Sequence, residues 1–144
     1  MYLVKNFHEI DVGDRVSISK TVTEADAVLY AGSTGDFGPV HFDDVYAKES
    51  RFGRRLAPGI MVAGIATSVL TGKLVGVLGV SIKDCFWFTG PVFYGDTVTV
   101  SVWISAKDEI NRTMDWKAVA TKQDGTEVLQ AEATLKFPRS AMRP

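Results

Sequence analysis

The sequence has little of what disulfides and metal sites require. Its 144 residues include one cysteine and two histidines. An internal disulfide is therefore impossible, and no cluster of histidine, cysteine and carboxylate side chains has the spacing of metal ligands. The single thiol, Cys85, lies in the apolar segment DCFWFTG and is predicted to be a small buried strand residue. We expect neither a metal nor a disulfide, which fits a reducing compartment.

Long apolar runs and a surplus of either charge are also missing. The longest apolar stretch, Gly59 to Leu70, is interrupted by Thr67 and Ser68 and is too short to span a bilayer. The N-terminal segment MYLVKNFHEIDVGD lacks a cleavable secretory pattern. A formal net charge of -1 gives no broad attraction to nucleic acid or anionic membranes. We expect a cytoplasmic protein whose partners include neither nucleic acid nor membrane.

The composition that is present belongs to an ordinary globular domain. The chain is 46% apolar and 23% charged, and it contains no repeat and no linker rich in proline or glycine. Residues 1–144 are predicted to form a single domain, which is large enough to bury a core without covalent staples.

The order of residue patterns predicts an α+β domain. Residues 14–22 alternate as a strand, and Thr23 should then cap a helix that ends at Gly32 or Gly35. Residues 59–75 are apolar on almost every side, which predicts a buried helix. Consecutive strands with short turns are expected to pair antiparallel, so the sheet should curl around that helix. Four later segments are predicted strands: 80–89, 97–106, 113–121 and 126–137.

Residues 35–42, GDFGPVHF, separate the first helix from the buried one. The pair Gly38-Pro39 favours a turn, so we predict an irregular loop here. Asp43 should then cap a short helix that runs to about Ser50.

Asp36 and His41 are the two groups on this loop that could carry chemistry. A carboxylate and an imidazole on one loop can both face a single water molecule, and general acid–base catalysis contributes about 10²–10⁴-fold. From spacing alone the alternatives stay open, because an aspartate after a glycine is often a turn residue and a single histidine is often structural.

A second feature is the segment Ala57-Pro58-Gly59-Ile60-Met61, which begins the buried helix. The first amides of a helix have no intrahelical partner, so the Gly59 amide could stabilise an oxyanion on a thioester carbonyl. The alternative is that Pro58 sets the first helical turn and Gly59 only relieves crowding.

These features together resemble the MaoC-like family of (R)-specific enoyl-CoA hydratases, which have the hot-dog fold. The stretch FTGPVFYGDTVTV, residues 88–100, is also typical of that fold, and the resemblance covers roughly Asp11 to Phe137. The family's hydratase motif is matched in order by Gly35, Asp36, Pro39, His41 and Asp43.

The resemblance implies a fold, an activity and a set of roles. The fold would be an antiparallel sheet of about five strands around a long helix. The activity would be that of a lyase, which reversibly hydrates a trans-2-enoyl thioester to a (R)-3-hydroxyacyl thioester. Asp36 and His41 would hold the water and move protons, while the Gly59 amide would form the oxyanion hole. No cofactor is implied, because the CoA or acyl carrier is part of the substrate.

Two positions depart from the family pattern. Hydratases of this family usually carry asparagine where Gly38 stands, and they commonly carry histidine where Pro58 stands. The first change removes a side-chain hydrogen bond near the loop. The second changes the mouth of the oxyanion hole.

Several further residues are candidates for substrate handling, each with a simpler alternative. Thr67 or Ser68 would support the acid–base pair, or bond back to the helix backbone. A basic run would meet substrate phosphates, or form an ordinary solvated surface. Phe37, Phe42 and Met61 would line an acyl tunnel, or pack in the core. The basic run comprises Lys48, Arg51, Arg54 and Arg55.

Assembly and competing functions complete the predictions. A curled sheet with open edges favours a homodimer or a dimer of dimers. A hot-dog acyl-CoA thioesterase is one alternative function, although residues 59–75 contain no Asp, Glu or His to supply its carboxylate. A non-catalytic subunit that binds acyl thioesters is the other.

Overall fold

The computed structural model describes residues 3–139, which form one antiparallel sheet and one long helix packed in its curve. The sheet has five strands in the order β1-β3-β4-β5-β2. This confirms the predicted α+β architecture. The extent of the domain over residues 1–144 stays a prediction. The strands are β1 (Arg15–Thr21), β2 (Val80–Phe88), β3 (Thr97–Asp108), β4 (Thr113–Lys122) and β5 (Glu127–Lys136).

Four α-helices lie between β1 and β2. The fourth continues as a π-helical turn over Leu70–Leu74, and a 3-10 helix at Phe7–Glu9 precedes β1. Within residues 3–139, no helix is both long enough and apolar enough to cross a membrane. The α-helices are α1 (Glu24–Thr34), α2 (Pro39–Phe42), α3 (Asp44–Glu49) and α4 (Gly59–Val69).

The core lies between α4 and the concave face of the sheet. Strand β3 alternates buried and half-buried residues along Thr97–Ser105, and β4 alternates in the same way. Successive side chains of a strand point to opposite faces, so each strand gives one apolar row to the core. The helix packs against these rows through Val62, Ala63, Ala66 and Val69.

The position of β2 corrects the predicted strand pairing. We expected β2 to pair with β3, its successor in the chain, but β2 pairs with β5 at one edge of the sheet. Residues 89–96 therefore form a crossover rather than a hairpin. A hydrogen bond of 2.8 Å from the Ala57 amide to the Val92 carbonyl joins the crossover to the segment that precedes α4. This long-range contact has no local sequence signal.

The burial of α4 is also less complete than predicted. One stripe of the helix faces outward, and Ile60 on it is 54% exposed. Five strands cover only one side of a helix, because the two edge strands do not meet. Cys85 lies in a strand, as predicted, but it is only half-buried because β2 is an edge strand. The stripe consists of Ile60, Gly64 and Ser68, and Thr71 in the π-helical turn is exposed as well.

Candidate active site

The end of α1 leads directly into the segment that carries Asp36 and His41. The Thr23 side chain caps the helix by accepting a hydrogen bond from the Asp26 amide, and Asp26 reaches back to the Thr23 amide. The helix ends at Gly35, whose φ of 80° is left-handed, a conformation that glycine adopts without a steric penalty. The start was predicted from the sequence, and Gly35 is one of the two predicted ends, the other being Gly32. Asp36 follows directly.

Residues 35–42 are not wholly irregular, contrary to our expectation. Pro39 begins the single turn of α2, since its fixed φ suits the first helical position and its missing N–H costs nothing there. His41 lies on this turn. Asp43 then caps α3 as predicted, because its carboxylate accepts hydrogen bonds from the amides of Val45 and Tyr46, at 2.8 and 3.0 Å.

Gly38 lies between the two predicted acid–base groups. A Cβ on Gly38 would lie 3.3 Å from Asp36 Oδ1, 3.3 Å from His41 Cδ2 and 3.9 Å from His41 Nε2. The Asp36 carboxylate and the His41 ring edge therefore face the same small volume. Asp36 Oδ1 also accepts a hydrogen bond of 3.3 Å from the Gly38 amide. Both side chains are partly exposed, so water can reach the space between them.

The His41 ring is oriented by a backbone carbonyl. Its Nδ1 lies 2.7 Å from the Leu56 carbonyl oxygen. A carbonyl can only accept, so the proton of a neutral ring is assigned to Nδ1. This assignment leaves Nε2, on the Gly38 side of the ring, free to accept a proton.

The amino end of α4 and His41 open onto one cavity of about 280 Å3. Gly59 is the first residue of the helix, and the Pro58 carbonyl accepts from the amides of Met61 and Val62. The earlier amide of Gly59 has no intrahelical partner and carries the positive end of the helix dipole. Apart from His41, the cavity walls are apolar side chains or glycine: Leu56, Ala57, Gly59, Ile60, Val62, Phe88, Gly90, Pro91, Val92 and Val128.

Gly59 also relieves crowding, as the alternative interpretation held. A Cβ at this position would lie 3.0 Å from two carbon atoms of the Phe88 ring. The ring of Phe88 thus closes over the first turn of α4. The two interpretations of Gly59 are compatible, because a bare glycine is what lets the cavity wall approach its amide.

The remaining predicted residues do not line this cavity. The Thr67 and Ser68 hydroxyls donate to the carbonyls of Gly64 and Ile65, which is the backbone-bonded alternative. The rings of Phe37 and Phe42 pack together at 5.7 Å. Met61 is half-buried against the core.

Two arginines of the predicted phosphate-binding run, Arg54 and Arg55, differ in their surroundings. Arg55 donates to Asp44 and Glu24, both at 2.6 Å, so its charge is already engaged by α1 and α3. Arg54 instead stacks over Phe93, with its guanidinium carbon 3.9 Å from the ring centroid, and within residues 3–139 it takes part in no ion pair.

The sequence did not indicate three groups that shape the site. The Leu56 carbonyl orients His41, yet a backbone oxygen has no sequence signature. Phe88 closes the cavity, and the only available signal was its place at the start of the stretch FTGPVFYGDTVTV. Tyr94, in the same stretch, donates through its hydroxyl to the His41 carbonyl at 3.0 Å.

Comparison with known proteins agrees with this fold. Residues 8–126 match the family model described as MaoC like domain. The chain therefore belongs to the MaoC-like domain family, and its fold is the hot-dog fold that the resemblance implied.

Three similar proteins illustrate the family. The (R)-specific enoyl-CoA hydratase of Rhodospirillum rubrum is 32% identical, over 92% of this chain and 91% of the relative. The 3-hydroxybutyryl-CoA dehydratase of Methylorubrum extorquens is 33% identical, over 92% of this chain and 84% of the relative. The solved (R)-hydratase of Aeromonas caviae involved in PHA biosynthesis is 28% identical, with a TM-score of 0.84 over 90% of this chain and 98% of that one.

Proposed function

We propose that the protein is a lyase that reversibly hydrates a trans-2-enoyl thioester to a (R)-3-hydroxyacyl thioester. The single observation that supports this most is the grouping of three parts: the Asp36 carboxylate, the His41 imidazole and the amino end of α4 at Gly59. Two relatives named as (R)-specific enoyl-CoA hydratases, which are 32% and 28% identical to this chain, support the same activity.

The proposed chemistry follows from these positions. Water lies between the Asp36 carboxylate and His41 Nε2, and loses a proton to the pair as its oxygen attacks C3 of the enoyl group. Electron density moves onto the thioester oxygen, where the Gly59 amide stabilises the enolate. The pair then returns a proton to C2, and dehydration follows the same steps backwards.

The substrate is proposed to be a thioester of CoA or of a carrier protein, both of which bring phosphate. Arg54 is a better candidate phosphate ligand than Arg55, because Arg55 is already paired with Asp44 and Glu24. The apolar cavity beside His41 would take the acyl group. The protein itself would need no cofactor.

Assembly as a homodimer, or as a dimer of such dimers, is part of the proposal. The edge strand β2 is open and carries several exposed apolar side chains, and one of them, Phe88, lies against the first turn of α4. Such an edge needs a partner to remain soluble. A cytoplasmic location stays a prediction. The exposed side chains on β2 are Val80, Ile82, Trp87 and Phe88.

The proposed activity is tested by hydration of crotonyl-CoA, which is measured as the loss of enoyl absorbance. Asp36→Asn keeps the size of the side chain and removes its charge, so the rate should fall by about 10²–10⁴-fold. The matched control is Asp124→Asn in the β4–β5 hairpin, where Asp124 accepts from the Thr126 amide and an asparagine can do the same. Chiral analysis of the product should find the (R) alcohol.

Other outcomes would identify the competing functions. Release of free thiol from acyl-CoA without hydration would indicate a thioesterase. Binding of thioesters from C4 to C12 with no turnover would indicate a non-catalytic subunit. Near-normal hydration by Asp36→Asn would remove the carboxylate from the mechanism.

A further inference from the structure

Helix α2 is too short to hold its own shape. A helix of one turn makes very few internal hydrogen bonds, and isolated helices of this length are unstable in water. Its last carbonyls need partners from elsewhere in the chain. The Val40 carbonyl accepts from the Leu56 amide at 3.3 Å, and the His41 carbonyl accepts from the Tyr94 hydroxyl at 3.0 Å.

Tyr94 is itself held firmly. It belongs to the crossover 89–96, whose Val92 carbonyl accepts from Ala57 and whose Phe93 amide donates to the buried Asp96 carboxylate at 2.9 Å. The Arg55 guanidinium lies 5.6 Å from the centroid of the Tyr94 ring. Burial raises the pKa of the Tyr94 phenol, although the charge of Arg55 opposes that rise. The hydroxyl is therefore protonated, and able to donate, at neutral pH.

We infer that Tyr94 is a positioning residue for His41, acting through the hydrogen bond from its hydroxyl to the His41 carbonyl. This bond holds His41 at its backbone carbonyl, and a second bond, from His41 Nδ1 to the Leu56 carbonyl, holds it at its ring. Together they keep Nε2 toward Asp36. Tyr94 is not among the residues that line the cavity, so it acts without touching the acyl group. The inference rests on the proposed function for its effect on rate.

The variant Tyr94→Phe removes one oxygen and keeps the ring beneath Arg55. We expect kcat for crotonyl-CoA hydration to fall about tenfold, the scale of one lost hydrogen bond. KM should change by less than about twofold, since no substrate contact is removed. Tyr30→Phe is the matched control, because it deletes the hydroxyl of another half-buried tyrosine, on α1, and should leave kcat unchanged.

A spectroscopic measurement separates positioning from a general loss of stability. The chain has only two histidines, so the imidazole nitrogen signals in a 15N-labelled sample are few, and His8→Gln assigns them. The His41 signals should report a proton on Nδ1 in the wild type, and they should shift in Tyr94→Phe but not in Tyr30→Phe. The His8 signals should stay in place in both variants.

This measurement needs no turnover, so the two proposals can fail separately. A wild type without hydratase activity would end the proposed function, while the His41 spectrum would still judge the role of Tyr94. His41 signals that do not move in Tyr94→Phe would overturn the inference, whatever happens to the rate. If Tyr94→Phe does not fold, Arg55→Lys replaces it, because losing the planar guanidinium frees the ring and should shift the same signals.

Discussion

At the scale of single residues, the candidate active site contains two glycines at positions where a side chain would meet a close neighbour. Gly38 leaves space between Asp36 and His41, and Gly59 lets the Phe88 ring approach the amino end of α4. Neither has a left-handed φ. A side chain at either position would therefore have to accommodate a close contact, whereas the backbone conformation sets no such demand.

Gly59→Ala tests the close contact at the helix start. The new methyl would lie 3.0 Å from the Phe88 ring, so the ring or the first turn of α4 must shift. Overpacking of this kind costs about 1–3 kcal/mol, and we expect the hydration rate to fall by at least tenfold as the amide moves. The rate of crotonyl-CoA hydration would measure the loss of activity, and thermal unfolding would measure the loss of stability.

Two further variants show whether Phe88 is the cause. Adding Phe88→Leu to Gly59→Ala should recover part of the lost rate, because it removes the clashing ring. Gly32→Ala in α1 is the control, since nothing lies within 4 Å of its Cβ position, and it should stabilise the helix by about 0.5–1 kcal/mol. Full activity in Gly59→Ala alone would contradict the assignment of the oxyanion hole to this turn.

At the scale of elements, Asp96 fixes the crossover that carries Val92 and Tyr94. Asp96 is 7% exposed, and its carboxylate accepts hydrogen bonds from the Phe93 amide and from Gln123 Nε2, both at 2.9 Å. Burial alone would raise the pKa of Asp96. The hydrogen bonds from Gln123 and Phe93 and the nearby Lys122 ammonium outweigh it, and the pKa is lowered.

A lowered folded-state pKa makes this contribution depend on pH in a known direction. The unfolded carboxyl titrates near pH 4. The stabilisation is therefore complete above that value, and it is lost as the pH falls through the lower folded-state pKa. Asp96→Asn should lower the free energy of unfolding by about 1–3 kcal/mol at pH 7, and the difference from wild type should shrink below about pH 4.

Urea unfolding at a series of pH values from 7 to 3 measures this difference. The dependence of the unfolding free energy on urea should keep its slope, since the same surface becomes exposed. A difference that stays constant over the whole range would show that the charge of Asp96 does not hold the crossover.

At the scale of the whole molecule, the open edge at β2 predicts self-association. Ile82 is 60% exposed beside other apolar side chains of the edge, and a charge placed there should disfavour pairing with a second chain. In light scattering the wild type should have about two or four times the mass of the 15.7 kDa chain, for a dimer or a dimer of dimers, and the mass of the Ile82→Lys variant should be lower.

Ile110→Lys is the matched control for this test. Ile110 is 88% exposed in the turn between β3 and β4, away from the β2 edge, so the same substitution should leave the mass unchanged. A monomeric wild type, or an Ile82→Lys variant with an unchanged mass, would contradict a dimer built on this edge.

The sequence by itself determined the local features of this protein. Helix boundaries were predicted at Thr23, Gly35 and Asp43, because capping depends on residues that are neighbours in the sequence. Alternating side chains predicted four of the strands, because a strand repeats every two residues. Strand β2 was predicted mainly from its β-branched and aromatic residues. The short segment that carries Asp36 and His41 could also be singled out, although its spacing left their roles open and the acid–base pair was predicted from the family resemblance.

Only the tertiary structure decided which distant parts meet. It moved β2 to the far edge of the sheet, and it set the Leu56 carbonyl against the His41 ring. It also brought the Tyr94 hydroxyl to the backbone of His41, across 53 positions of sequence. These contacts depend on how the sheet closes around α4, and the energy of that closure is shared among many residues. No short pattern in the chain records it.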